Sequence, residues 1–181
     1  IMKHDKRKIV RGVSRVKNHI IWARRSNGSC ARSIEGGNTF TWITVPGNEK
    51  REFRDIEAFD ENTAVIMGIA EPGIILKTKD GGKHWKKVFE DATKGMFLDA
   101  MDFADEKVGA VIGDPIDRAV YISFTRDQGD SWEKVDIGGD GRISLAKDGE
   151  AFFASSGTNI KISNSAPHLI FGSGGKSSRL F

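Results

Sequence analysis

The sequence predicts an all-β chain, a β-propeller of four-stranded antiparallel blades present as an incomplete set of about three and a half. Three observations carry that prediction. An eight-residue segment recurs as Ser33-Ile-Glu-Gly-Gly-Asn-Thr-Phe40, Thr78-Lys-Asp-Gly-Gly-Lys-His-Trp85 and Thr125-Arg-Asp-Gln-Gly-Asp-Ser-Trp132, its acid at Glu35, Asp80 and Asp127, so that the spacings are 45 and 47 residues. Around each copy, four short runs of β-branched and aromatic residues recur in the same order between turn residues. No run longer than about ten residues has helical periodicity, and only 90–97 could hold a single turn.

After a basic tail over 1–8, the first blade spans about 9–45, with strands at Val10–Val13, Ile20–Ala23, Ser29–Ala31 and Phe40–Ile43. The second, about 52–90, repeats them at Phe53–Ile56, Ala64–Met67, Ile74–Leu76 and Trp85–Val88. The third, about 96–137, does so at Phe97–Ala100, Val108–Val111, Val120–Ile122 and Trp132–Val135. A fourth unit, 151–181, starts with Phe152–Ser155 as its first strand, continues with Leu169–Phe171 as its second and reaches Ser178–Phe181 as its third. A complete propeller needs roughly 4–8 blades. The expectation is therefore a fragment with missing C-terminal blades, or a partial ring completed by another chain, as in a homo-oligomer.

The recurring segment reads as the hairpin between the third and fourth strands. Its carboxylate can accept backbone N–H groups of the turn. Gly37, Gly82 and Gly129 can take the positive φ that other residues resist. The hydroxyl of Ser33, Thr78 or Thr125 can tie the strand ends, and Phe40, Trp85 or Trp132 can pack between neighbouring sheets. Residues that recur every ~45 positions are expected to hold the fold rather than to catalyse.

These segments resemble the Asp-box (BNR-like) repeat, S/T-x-D-x-G-x-x-W, of sialidases, sortilin-like receptors and some glucanases. Phe53-Arg-Asp-Ile-Glu-Ala-Phe59, Gly113-Asp-Pro115 and Ala154-Ser-Ser-Gly-Thr158 look most like the group of photosystem II assembly/stability factors within it. The first copy departs from the pattern at Glu35 and Phe40, which implies a looser turn. The resemblance implies a non-catalytic binding or assembly scaffold, and it favours an exported, periplasmic or secreted protein whose leader is missing. A protein or glycan ligand is the partner it implies, with its identity open.

Composition narrows the classes. With 181 residues, 38% hydrophobic and 29% charged, the chain can build an ordinary core. No stretch approaches the ~18 apolar residues of a membrane span. The N-terminus lacks the apolar run of a signal peptide, so the protein is cytosolic or its leader is missing. Cys30, the single cysteine, excludes an internal disulfide and any Cys-built metal site. Residues 1–32 carry a net +9, which leaves −6 for the rest of a chain whose net charge is +3. No aromatic-basic interleaving accompanies that charge, so it reads as a solvated end rather than a nucleic-acid surface. The glycine pairs never form a dinucleotide-binding loop, and the four histidines have no ligand spacing, so neither cofactor nor metal is expected. Asp136-Ile-Gly-Gly-Asp-Gly-Arg142 lacks the twelve-position ligand pattern of a calcium loop.

First strands line a propeller's channel. The candidate binding residues are therefore Arg11, Arg54, Asp55, Asp99, Asp114, Ser156 and Thr158, with Glu57, Asp102 and Asp117 near strand ends. Strand alternation lets only one of Arg54 and Asp55 face the channel. The alternative function is a glycoside hydrolase. A sialidase needs a Tyr nucleophile, and the single Tyr121 falls on a third strand away from the channel. An inverting enzyme needs two carboxylates about 6.5–9.5 Å apart, for which Asp55 and Asp99 are the best pair.

Overall fold

The structure is a computed structural model that describes residues 10–135, 146–154, 157–163 and 168–181, with the backbone alone at Arg11. Three four-stranded antiparallel sheets follow one another along the chain. The first is β1 (Val10–Val16), β2 (Ile20–Arg25), β3 (Ser29–Ser33) and β4 (Thr41–Thr44). The second is β5 (Phe53–Ala58), β6 (Ala64–Gly68), β7 (Gly73–Thr78) and β8 (Lys86–Asp91). The third is β9 (Leu98–Phe103), β10 (Gly109–Ile116), β11 (Ala119–Thr125) and β12 (Glu133–Lys134). In each, every strand pairs with its neighbour in sequence, which is the blade of a β-propeller. The hairpin at Asn27-Gly28 takes φ of 61° and 60°, the left-handed pair of a tight hairpin turn. Residues 90–97 hold no helix: Glu90 and Asp91 finish β8 by pairing with Ile74 and Gly73.

The last part differs from its expected plan. Phe152–Ala154 lies outside the strands. A short pair, β13 (Glu150–Ala151) with β16 (Gly174–Gly175), stands beside a second pair, β14 (Ile160–Ile162) with β15 (Leu169–Phe171). Phe181 exchanges backbone hydrogen bonds with Phe171. Ile160–Ile162 thus takes the place that Phe152–Ser155 was expected to fill, because its two isoleucines bury against the third sheet.

The cores lie between the sheets rather than within them. Ile20, Trp22 and Cys30 meet Phe53, Ile66 and Leu76 between the first and second. Val65, Met67 and Ile75 meet Leu98, Met101 and Val111 between the second and third. Ala100, Ile112 and Ile122 meet Phe152, Ile160 and Phe171 beyond it. A middle sheet is therefore buried on both faces, which is why Ala64-Val-Ile-Met67 is one continuous apolar run rather than an alternation. Cys30 lies in this packing, and burial pushes its thiol up to about 12, so it is an inert filler.

The recurring turns are built alike. Thr78 Oγ1 accepts the Gly82 amide at 2.9 Å and donates to Asp80 Oδ1 at 3.0 Å, and Asp80 Oδ1 accepts the His84 amide at 2.9 Å. Thr125, Asp127, Gly129 and Ser131 repeat this at 2.8, 2.8 and 2.9 Å. The amide and ring of His84 hold the Asp80 carboxyl down at about 2. Asp127 is also held at about 2: burial pushes it up, and the Ser131 hydroxyl and amide outweigh that. In the first sheet Ser33 Oγ still accepts the Gly37 amide at 2.9 Å, but the longer Glu35 reaches only the Thr39 hydroxyl at 2.8 Å. Trp85 packs edge-on against Trp22 of the first sheet at 6.4 Å between ring centroids. Trp132 meets Phe103 of its own sheet at 5.9 Å. Phe40 instead stacks with Trp42.

Candidate functional site

The inner strands β1, β5 and β9 each carry a β-bulge near their start. The register skips from Val10 to Gly12, from Phe53 to Asp55, and from Leu98 to Ala100. The extra residues are Arg11, Arg54 and Asp99. A bulged residue leaves the ladder and re-aims its side chain, so the alternation argued for Arg54 and Asp55 does not hold. The local likeness of Phe53-Arg-Asp-Ile to Phe97-Leu-Asp-Ala pairs Asp55 with Asp99, whereas the sheets place Arg54 and Asp99 at the equivalent bulge.

Arg54 is half-buried, and its Nε is buried without an acceptor. Asp99 is 0% exposed, and neither carboxylate oxygen makes a hydrogen bond of good geometry, although the Ala154 and Asp114 amides stand near it. Burial, reinforced by the charge of Asp114, pushes its carboxyl up to about 9, against the pull of the Ala154 and Asp114 amides. Asp55 is buried as well, but it is engaged. Its Oδ2 accepts the Met101 amide of the third sheet at 2.9 Å, and its Oδ1 accepts the Ile56 amide at 3.0 Å. Burial raises it to about 7, less than it raises Asp99, because those amides and Arg24 favour the charged form.

The other predicted acids also join sheets. Ser14 Oγ of β1 donates to Glu57 at 3.2 Å and accepts the Ala58 amide at 3.0 Å. Burial, with Asp55 nearby, pushes Glu57 up to about 8. Asp102 accepts the Ile162 amide and the Lys161 ammonium, both at 2.7 Å. Asp114 accepts the Phe152 amide at 2.8 Å, and burial raises its pKa. Asp117 sits in a tight turn with Arg118, at φ of 50° and 69°. Thr158 is exposed beside Gly157, where an added Cβ would stand 2.9 Å from Asp55 Oδ2. Ser156 and the segment Asp136–Arg142 lie outside the described residues.

Tyr121 is buried on β11, its hydroxyl accepting from Ser123 at 3.0 Å. A buried Tyr121 and two buried carboxyls, one bound to backbone amides, present no nucleophile or acid to a sugar. What the inner strands carry instead are bulge-borne residues, among them Arg54 with its Nε unsatisfied.

Two contacts were not anticipated. Arg32 Nη1 of β3 donates to the Glu61 carbonyl of the second sheet at 2.6 Å and lies over Gly81. Lys77 of β7 donates to the Gln128 carbonyl of the third sheet at 2.8 Å and reaches Asp130 at 3.2 Å. Both cations directly precede the turn hydroxyl, a repeated position the sequence displays. Each latches its sheet to the turn of the next.

No curated protein matches the chain. Several solved structures are similar to it, among them these three. "YCF48 bound to D1 peptide" has a TM-score of 0.57 at 19% identity, over 93% of this chain and 50% of that one. "YCF48 from Cyanidioschyzon merolae" has 0.53 at 14%, over 93% and 57%. An ancestral GH74 enzyme has 0.51 at 15%, over 96% and 25%. These likenesses show the propeller fold, and the chain spans about half the length of the first two. Residues 37–151, more than half of the chain, match the sequence family described as photosynthesis system II assembly factor YCF48. They start within the first repeated turn, run through the second and third sheets and contribute to all three inter-sheet cores, and the chain belongs to that family.

Proposed function

We propose that this chain is a non-catalytic binding scaffold for assembly, whose Asp-box turns hold the blades while the bulged inner strands recognise an extended polypeptide. The observation that carries the reading is Arg54, a half-buried cation carried out of its ladder by the bulge on an inner strand. A peptide carbonyl or carboxylate pairs with the exposed edge of this half-buried guanidinium. A solved relative is described as bound to a D1 peptide, which makes that peptide the ligand to try. Asp55 and Glu57, on the same strand as Arg54, join their sheet to its neighbours, so binding needs little rearrangement.

The test is a fluorescence-anisotropy titration of labelled D1 peptide and a scrambled control. A charge-assisted hydrogen bond contributes about 1.5–3 kcal/mol, so Arg54→Ala is expected to weaken binding about tenfold or more, with the melting temperature held. Equal binding of the scrambled peptide, or an Arg54→Ala protein that binds like the parent, overturns the reading.

A further inference from the structure

Between the second and third recurring turns lies a groove whose cations outnumber the acids that answer them. It encloses a cavity of about 320 Å³ lined by Lys77, Lys79, Asp80, Trp85, Lys86 and Asp130, with His84 at its rim. It stands at the opposite end of the ladders from the bulges. In the second sheet Phe53, Gly68 and Ile74 mark the bulge end, and Ala58, Ala64 and Thr78 mark the turn end.

Lys77 and Lys86 are direct partners across β7 and β8. Directly opposed residues share a face of the sheet, and like charges there repel. Lys77 reaches into the third sheet, where its Nζ donates to the Gln128 carbonyl at 2.8 Å and stands 3.2 Å from Asp130 Oδ2. Lys79 Nζ donates to that same oxygen at 2.9 Å. One carboxylate oxygen thus serves two ammonium groups, while Asp130 Oδ1 accepts no hydrogen bond among the described residues. Asp80 is engaged in its own turn by the Thr78 hydroxyl and by the amide and ring of His84. Lys86 is exposed, and no carboxylate among the described residues pairs with it.

We propose that this groove is a binding site, separate from the bulges, for an acidic segment of an extended polypeptide. A carboxylate of the segment pairs with Lys86, a backbone N–H donates to Asp130 Oδ1, and half-buried Trp85 forms the apolar wall. Three features select this ligand. Asp130 shows that the groove already seats a carboxylate between ammonium groups. The two acids set among the lysines would repel the closely spaced phosphates of a nucleic acid. A peptide carries anions and N–H donors on one chain, and those are what Lys86 and Asp130 Oδ1 lack. The cavity is at the small end of ligand clefts, with room for a few side chains.

The test is a fluorescence-anisotropy titration of a labelled peptide alternating Glu and Gly, with its Gln and Gly counterpart as control. Lys86→Gln removes one charge-assisted hydrogen bond in a wet groove and is expected to weaken binding about fivefold or more. Lys86→Arg keeps the charge and is expected to keep the affinity. Lys94→Gln removes the same charge from an exposed loop after β8 and should leave binding unchanged. Arg54→Ala should do the same, which separates this site from the bulges. Because Lys86 opposes Lys77, Lys86→Gln is expected to melt at or above the parent's temperature. Any of five results would overturn the proposal: no binding of the Glu peptide, equal binding of the Gln peptide, a Lys86→Gln protein that binds like the parent, equal weakening by Lys94→Gln, or displacement by sulfate or free glutamate at the peptide's own concentration.

Discussion

At the scale of single residues, the turns divide their work between local geometry and contact with the next sheet. Gly37, at φ 92°, meets only its own sheet, whereas Gly82, at φ 87°, presses on Ile43 of the sheet before it. Substituting Gly37 by Ala therefore tests the cost of positive φ almost alone, about 1–3 kcal/mol. Gly82→Ala adds overpacking of about 1 kcal/mol or more. Urea unfolding of the two variants measures the difference, and equal losses would show that the contact with Ile43 contributes nothing. The turns were legible in the sequence because their chemistry is local: a hydroxyl, an acid two places on and a glycine two further. The roles of Asp55 and Asp102 were not, because their partners, the amides of Met101 and Ile162, stand 46 and 60 residues away. An amide leaves no mark in a sequence.

Elements join through their inner strands, and that junction depends on pH. Asp55, Glu57 and Asp99 are raised to about 7, 8 and 9, chiefly by burial. In the unfolded chain they titrate near ~4. The fold therefore holds their protons more tightly than the unfolded chain does. The stability they contribute is fully present below pH ~4 and is lost as pH rises through their folded values. Asp80 and Asp127 have the opposite sign: held at about 2, they contribute above pH ~4 and lose that below it. Chemical denaturation is expected to show greatest stability near pH 5, with a decline toward pH 9. Asp99→Asn removes the most displaced acid and should flatten that decline. An unchanged slope in this variant would mean that Asp99 is charged and hydrated when folded. The strand runs were readable as elements because both faces of a middle sheet are apolar. The bulges were not, since an extra residue such as Arg54 shifts register without changing composition.

The whole molecule is a row of sheets in which each touches its neighbours, so stability travels along it contact by contact. The repeat spacing of 45 and 47 residues displayed that plan for three sheets and failed for the last, where no fourth turn fixes the register. Local unfolding in such a row should start at the unit with the shortest ladders, here β13–β16. The last unit is tied to the third sheet by the apolar packing of Ile160, Ile162 and Phe171 and by Asp102, which holds both the Ile162 amide and Lys161. Asp102→Ala removes both polar ties and leaves a buried amide unpaired, a loss of about 1–3 kcal/mol. Amide hydrogen exchange is expected to quicken across Ile160–Ile162 and Leu169–Phe171, while β6 and β7 of the second sheet keep the protection of the parent. The third sheet should respond weakly and chiefly on β9, since Val111 of β10 and Tyr121 of β11 keep their packing against the second sheet. Exchange that quickens uniformly over all sheets would mean that the row unfolds as one cooperative body, and that the contact between neighbouring sheets is as strong as the ladder within each.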